Sequence, residues 1–273
     1  MLRCLLLCCA LLAANSYAQV VPLFSIKPLA LVHSELRPGA ASKATVLIPP
    51  QRDLHDYSLS MADISALQTS PVVFWLSASA EPFIAKIQPR IQGSHAWHAL
   101  DVEGKNQHPW LSREKIEAMS AQMAQQLQRQ YPAEKTQIAA QQQQFLHSLN
   151  ARMAYWRTQF SAHKAAPVLL GHDAFASWLQ DFGVPVVMYR AQAGHGAQQS
   201  GMQELLSAQQ RVAKGEIRCA VAEPDVSFSA LQRRFPALKV VQLQPMADSI
   251  ALQPHAYLAF VDATAQAILA CVK

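Results

Sequence analysis

A chain of 273 residues, net charge +5, with 51% hydrophobic and 15% charged residues, has ample material for buried cores and too little charge for a disordered polymer. Its length suits two lobes better than one small core. The basic residues are scattered, which gives no sign of a nucleic-acid partner, and the longest apolar run is too short to span a bilayer, which excludes a polytopic membrane protein.

Met1–Ala18 reads as a secretory signal. Arg3 supplies the positive end, Cys4–Ala14 the apolar core, and Ser16 and Ala18 the small residues of a cleavage site, so cleavage is expected after Ala18. Export removes Cys4, Cys8 and Cys9. Cys219 and Cys271 remain, an even number in an oxidising compartment, where a disulfide is the default and two buried free thiols are the alternative.

Short β-branched runs then alternate with helical patterns. Ala44–Ile48 and Val72–Leu76 predict buried strands, and Ser60–Gln68 and Ser112–Gln130 predict helices. Ala133–His163 contains no Gly or Pro, and Ile138, Phe145, Leu149, Met153, Trp156 and Phe160 recur at helical spacing. The segment predicts one helix of about 30 residues, roughly 45 Å long. Pro167–Leu170, Val184–Met188, Arg218–Ala222 and Lys239–Leu243 predict further strands. Ala174–Asp181, Met202–Lys214, Ser227–Phe235 and His255–Ala270 predict the helices between and after them. The alternation argues for an α/β protein of two lobes, each a mainly parallel sheet flanked by helices, joined by one long spine helix. The expected division is a signal at 1–18, an N-terminal lobe at 19–132, the spine at 133–163 and a C-terminal lobe at 164–273.

The chain has ten histidines. His33, His147 and His163 lack polar neighbours in sequence and read as structural or exposed; His195 lies in a Gly-rich loop and His255 follows Pro254 at a helix start. His55, His108 and His172 differ. Each falls in a loop beside a predicted strand end or helix start, and ligand sites in open α/β sheets gather outside the carboxyl ends of strands. Three imidazoles from three such loops can converge on one divalent cation, with a carboxylate or water completing a tetrahedron suited to zinc.

These residues stand in segments that resemble the periplasmic zinc-binding proteins of ABC importers (ZnuA-type), within the wider zinc/manganese solute-binding cluster. Phe24–Leu29 resembles the family's opening strand, and His55-Asp56-Tyr57-Ser58-Leu59 the first-ligand loop. Glu81-Pro82-Phe83 resembles the next landmark. Asn106–Ser112 resembles the second-ligand loop, His172-Asp173-Ala174-Phe175 the third, and Ala220–Pro224 a landmark of the far lobe. The resemblance implies His55, His108 and His172 as metal ligands. It implies Asp248, in Ala247-Asp248-Ser249-Ile250, as the fourth, and a disulfide between Cys219 and Cys271. Asp56 and Asp173 are the expected acceptors for the outer ring nitrogens. Imidazole at the third position favours zinc over manganese. Lys86–Lys105 stands where zinc-type members often carry a long His-rich loop. Its His95 and His98 read as part of a surface loop, with weak metal hand-on as the alternative.

The resemblance implies a periplasmic protein, not an enzyme, that captures Zn(II) as transported ligand and delivers it to an ABC permease in the inner membrane. The protein is expected to act as a monomer. The chain has no P-loop of its own. The competing readings are a metal-sequestering or adaptor protein without a permease, and a secreted zinc-dependent hydrolase. The second is opposed by the absence of an HExxH motif.

Overall fold

The computed structural model describes residues 21–52, 54, 57–91, 93, 95–100, 108–189 and 202–273. The signal segment, His55, Asp56 and His195 lie outside them. Leu23–Phe24 (β1), Thr45–Val46 (β2), Val72–Trp75 (β3) and Ala96–Ala99 (β4) form a sheet in the order β2-β1-β3-β4. Val168–Leu170 (β5), Val186–Met188 (β6), Cys219–Ala222 (β7) and Lys239–Gln242 (β8) form a second in the order β6-β5-β7-β8. Every pairing within these sheets is parallel. Both sheets therefore share one winding: the second strand lies to one side of the first and the third strand to the other. The carboxyl ends of the first and third strands then border a crevice, the usual ligand position in such sheets.

The opening segment differs from expectation. Only Leu23–Phe24 is strand, and Lys27–Leu36 forms helix α1, with Pro28 in its first turn. Proline lacks an N–H, which a helix start does not need and a central strand does. Helix α1 is buried from Pro28 to Leu36, its polar His33, Ser34 and Glu35 included.

Met61–Thr69 (α2) and Pro82–Ile87 (α3) follow in the first half of the chain, and Ala176–Asp181 (α6), Met202–Ala213 (α7) and Ser229–Arg234 (α8) lie in the second. Arg113–Gln130 (α4) is capped by the Ser112 hydroxyl, which accepts from Lys115 N. Lys135–Ala162 (α5) is the long helix, and it buries Ile138, Phe145, Leu149, Met153, Trp156 and Phe160. It packs against α4, α1 and Ala256–Val272 (α9), so the spine is one member of a helical layer between the sheets. Its start is fixed by Arg37, whose buried guanidinium makes two hydrogen bonds to Glu134, at 2.8 and 2.7 Å, and lies 3.6 Å from the Tyr131 ring centroid.

The C-terminal helix is clasped from the other lobe. Ala256 N donates to Ser34 Oγ at 3.3 Å, and Leu258 N donates to Glu35 Oε1 at 3.1 Å. His255 Nδ1 meets Glu35 Oε2 at 3.1 Å. A carboxylate and a hydroxyl of α1 thus satisfy backbone N–H groups that a helix start leaves unpaired. The Cys219–Cys271 disulfide ties β7 to the last turn of α9 across 52 residues of sequence. On the chain-entropy model a loop of that length stabilises the fold by about 4 kcal/mol. Among the described residues, no helix is long and apolar enough to cross a membrane.

Candidate metal site

Two of the predicted imidazoles meet between the lobes. His108 precedes the 3₁₀ turn Pro109–Leu111, which leads directly into α4. His172 follows β5, at the carboxyl end of that strand. Gly171 is required there for space: a Cβ would come within 2.3 Å of the Val226 side chain. The two rings stand edge to face with centroids 4.7 Å apart. His108 is buried, while His172 keeps about a third of its side chain exposed.

Asp173 joins them. Its Oδ1 lies 3.7 Å from His172 Nε2 and 4.0 Å from His108 Nδ1. One donor atom from each of the three residues falls within 4.8 Å of the others. Zinc bonds of about 2.0–2.1 Å in a tetrahedron place donors roughly 3.3 Å apart. The cluster is therefore wider than that spacing. The sequence reading puts Asp173 behind the imidazoles as an acceptor; in the structure its carboxylate stands beside the donor nitrogens.

The acceptor behind His172 is another residue. Glu223, buried at the carboxyl end of β7, takes a 2.9 Å hydrogen bond from His172 Nδ1. That bond puts the ring proton on Nδ1 and leaves Nε2 as the nitrogen with a lone pair, on the side of Asp173 and His108. Glu223 itself is held by paired backbone bonds with Val226, at 3.2 and 3.0 Å. Sequence reasoning missed its role. Its signal was present in Ala222-Glu223-Pro224: an acid at the end of the strand that pairs with the His172 strand.

Asp248 does not enter the cluster formed by the described residues. It lies in the turn between β8 and α9, where its carboxylate accepts from Gln51 Nε2 and its backbone oxygen accepts from Lys27 Nζ at 2.7 Å. His55 and Asp56 fall outside the described residues. Tyr57, just after them, is fixed by a 2.9 Å hydrogen bond from its hydroxyl to Asp63, the acid of the capping box that opens Met61–Thr69 (α2).

Three other described histidines, His33, His95 and His98, are engaged elsewhere. His33 is buried against Phe24, and burial pushes its pKa down to about 3. His98 sits on β4 with its ring 5.0 Å from that of Phe74, and burial lowers its pKa. His95 Nδ1 lies 2.8 Å from Ser70 O. Residues 96–99 are thus an edge strand packed by its aromatic rings, where a surface loop was expected.

Comparison with known proteins bears on the whole chain. Residues 23–271 match the family ZnuA, described as zinc-uptake complex component A, periplasmic. A high-affinity zinc uptake system protein ZnuA of Haemophilus ducreyi is 24% identical, with 96% of each chain covered. Its counterpart in Haemophilus influenzae is 21% identical over the same shares. Among solved structures, a zinc-bound ZnuA with residues 138–173 deleted superimposes with a TM-score of 0.75 at 16% identity, covering 93% of this chain and 98% of that one. The manganese complex of FpvC from Pseudomonas aeruginosa gives 0.69 at 17%, covering 93% and 98%. These structural likenesses show the fold, and the match of nearly the whole chain to the family shows that it belongs to the ZnuA family of periplasmic zinc-uptake components.

Proposed function

We propose that the protein captures Zn(II) in the cleft between its lobes and hands it to a membrane permease of an ABC importer. The observation that carries this reading is the His108–His172 pair: two imidazoles from different lobes, one oriented by a buried carboxylate, with a second carboxylate beside them. Nitrogen donors of this kind suit zinc over harder cations. His55 completes the imidazole set from the loop before α2. Asp248 supplies the fourth donor once Gln51 releases it. Its place supports this, because its carboxylate holds Gln51, four residues before His55. Asp173 is the competing carboxylate, already near the two rings.

The same proposal includes export with cleavage after Ala18, lobes at 19–132 and 164–273 joined by the spine at 133–163, and action as a monomer. Neutral imidazoles bind the metal, so affinity falls as the solution is acidified below the ordinary histidine pKa of about 6.5.

The test is competitive zinc titration of the mature protein against a chelator, with His55→Ala, His108→Ala, His172→Ala, Asp248→Ala and Asp173→Ala alongside. Each histidine variant is expected to lose at least about tenfold in affinity, and Asp248→Ala to lose more than Asp173→Ala. Near-native binding by two of the three histidine variants rejects the site.

A further inference from the structure

Three donors from the N-terminal lobe converge on one turn of the C-terminal lobe. The turn is closed by Ala247 N to Gln244 O at 2.9 Å and Ile250 N to Ala247 O at 3.1 Å. Lys27 and Gln51 both reach Asp248 there, and Trp110 Nε1 donates to Pro245 O at 2.8 Å. Trp110 is held a second time, because its backbone oxygen accepts from the Tyr257 hydroxyl at 2.7 Å. Tyr257 belongs to α9 and is enclosed by Phe145, Trp178 and Phe260.

Trp110 lies two residues after His108, within a stiff stretch of chain. Pro109 fixes one backbone angle, and Leu111 N bonds His108 O at 2.9 Å. The Trp110 ring also lies edge-on to that of His108, with centroids 5.3 Å apart. Although His108 arrives with the N-terminal lobe's chain, its surroundings are thus anchored in the C-terminal lobe, which also carries His172.

We infer that Trp110 is a positioning residue: together with Pro245 and Tyr257 it fastens His108 to the C-terminal lobe and keeps the His108–His172 pair assembled before the metal arrives. The inference rests on the zinc-site reading above. A pair assembled in advance spares zinc binding the ordering cost of bringing the rings together, and a donor held from behind is slower to swing away. Metal then leaves through movement of the remaining ligands, with this pair as the fixed half of the site.

The decisive variants are Trp110→Phe, which keeps an aromatic ring and deletes the indole N–H, and Tyr257→Phe, which deletes one oxygen. Each is made in the wild-type and His108→Ala backgrounds of the mature protein. Zinc affinity is read by chelator competition, zinc release by stopped flow, and the thermal midpoint of the metal-free protein alongside. Trp110→Phe is expected to weaken zinc about tenfold, mostly through faster release, as for other residues behind a metal ligand. Tyr257→Phe is expected to weaken it by a smaller factor, and it carries the test alone if Trp110→Phe does not fold. In the His108→Ala background both changes should leave affinity within about twofold, because the residue they position is gone. Wild-type affinity in both variants overturns the inference, as does an equal loss in the two backgrounds, which marks a merely structural role. Failure of the wild-type protein to bind zinc defeats the underlying reading instead.

Discussion

The two lobes share a strand order, yet they use the same crevice differently. Each has a Glu-Pro pair after its third strand, Glu81-Pro82 beyond β3 and Glu223-Pro224 beyond β7. In the C-terminal lobe five residues, Gly171–Phe175, separate β5 from the helix Ala176–Asp181, and they present His172 to Glu223. In the N-terminal lobe only Ser25 and Ile26 separate β1 from α1. Glu81 is fully buried, with Oε2 accepting from Leu76 N at 2.6 Å and the Ser25 side chain beside its carboxyl group. Burial pushes its pKa up to about 7. Glu223, directly after β7, orients a histidine, whereas Glu81, six positions beyond the end of β3, is a buried structural group.

The largest expected effect sharpens this contrast. His172→Ala should weaken zinc binding on the order of a thousandfold, about 4 kcal/mol, since each ligand carries a share of a large binding energy. Ser25→Ala, near the corresponding strand end of the other lobe, should leave zinc affinity unchanged. A comparable loss from Ser25→Ala in chelator competition would break the comparison.

Next comes the pH dependence of stability. Glu81 is neutral in the folded chain up to a higher pH than in the unfolded chain. Its contribution is therefore fully present below about pH 4.5 and is lost as pH rises through about 7. Glu81→Gln removes this dependence, and at pH 8 it should raise unfolding stability by up to about 3 kcal/mol, with no gain at pH 4. Denaturant unfolding at the two pH values checks it. His33 acts in the opposite sense: its folded pKa of about 3 costs stability as pH falls from its ordinary 6.5. Zinc affinity at neutral pH should be the same in Glu81→Gln and wild type.

Glu223→Gln is the smallest and most selective change. It keeps an acceptor for His172 Nδ1 but removes the charge, and zinc affinity should fall about tenfold, or 1.4 kcal/mol. A loss as large as that of His172→Ala would mean that Glu223 contacts the metal itself.

The periodic parts of this fold were legible in the sequence. The six apolar residues of α5 announce it through their spacing, and the paired valines of β6 and β8 announce those strands. Helix α1 was missed because the run Phe24–Leu29 reads as one strand, although Pro28 within it marks a helix start. Strand β4 was missed for a different reason: Ala-Trp-His-Ala has neither alternation nor a β-branched run, and it is held by ring packing on Phe74. At the site, the places of His108, before a helix start, and of His172, after a strand end, were legible. The partner of His172 was not, because Glu223 lies 51 residues away and meets it only through the pairing of β5 with β7. The turn that engages Trp110, Lys27 and Gln51 depends on lobe packing and has no local signature.

The central claim is that imidazoles from the two lobes grip one zinc ion. Crystals of the zinc-loaded mature protein, measured on both sides of the zinc absorption edge, test it most directly. The account predicts one strong anomalous peak about 2.0–2.1 Å from a ring nitrogen of both His108 and His172. A peak bound to only one of them, or lying elsewhere on the molecule, would contradict it.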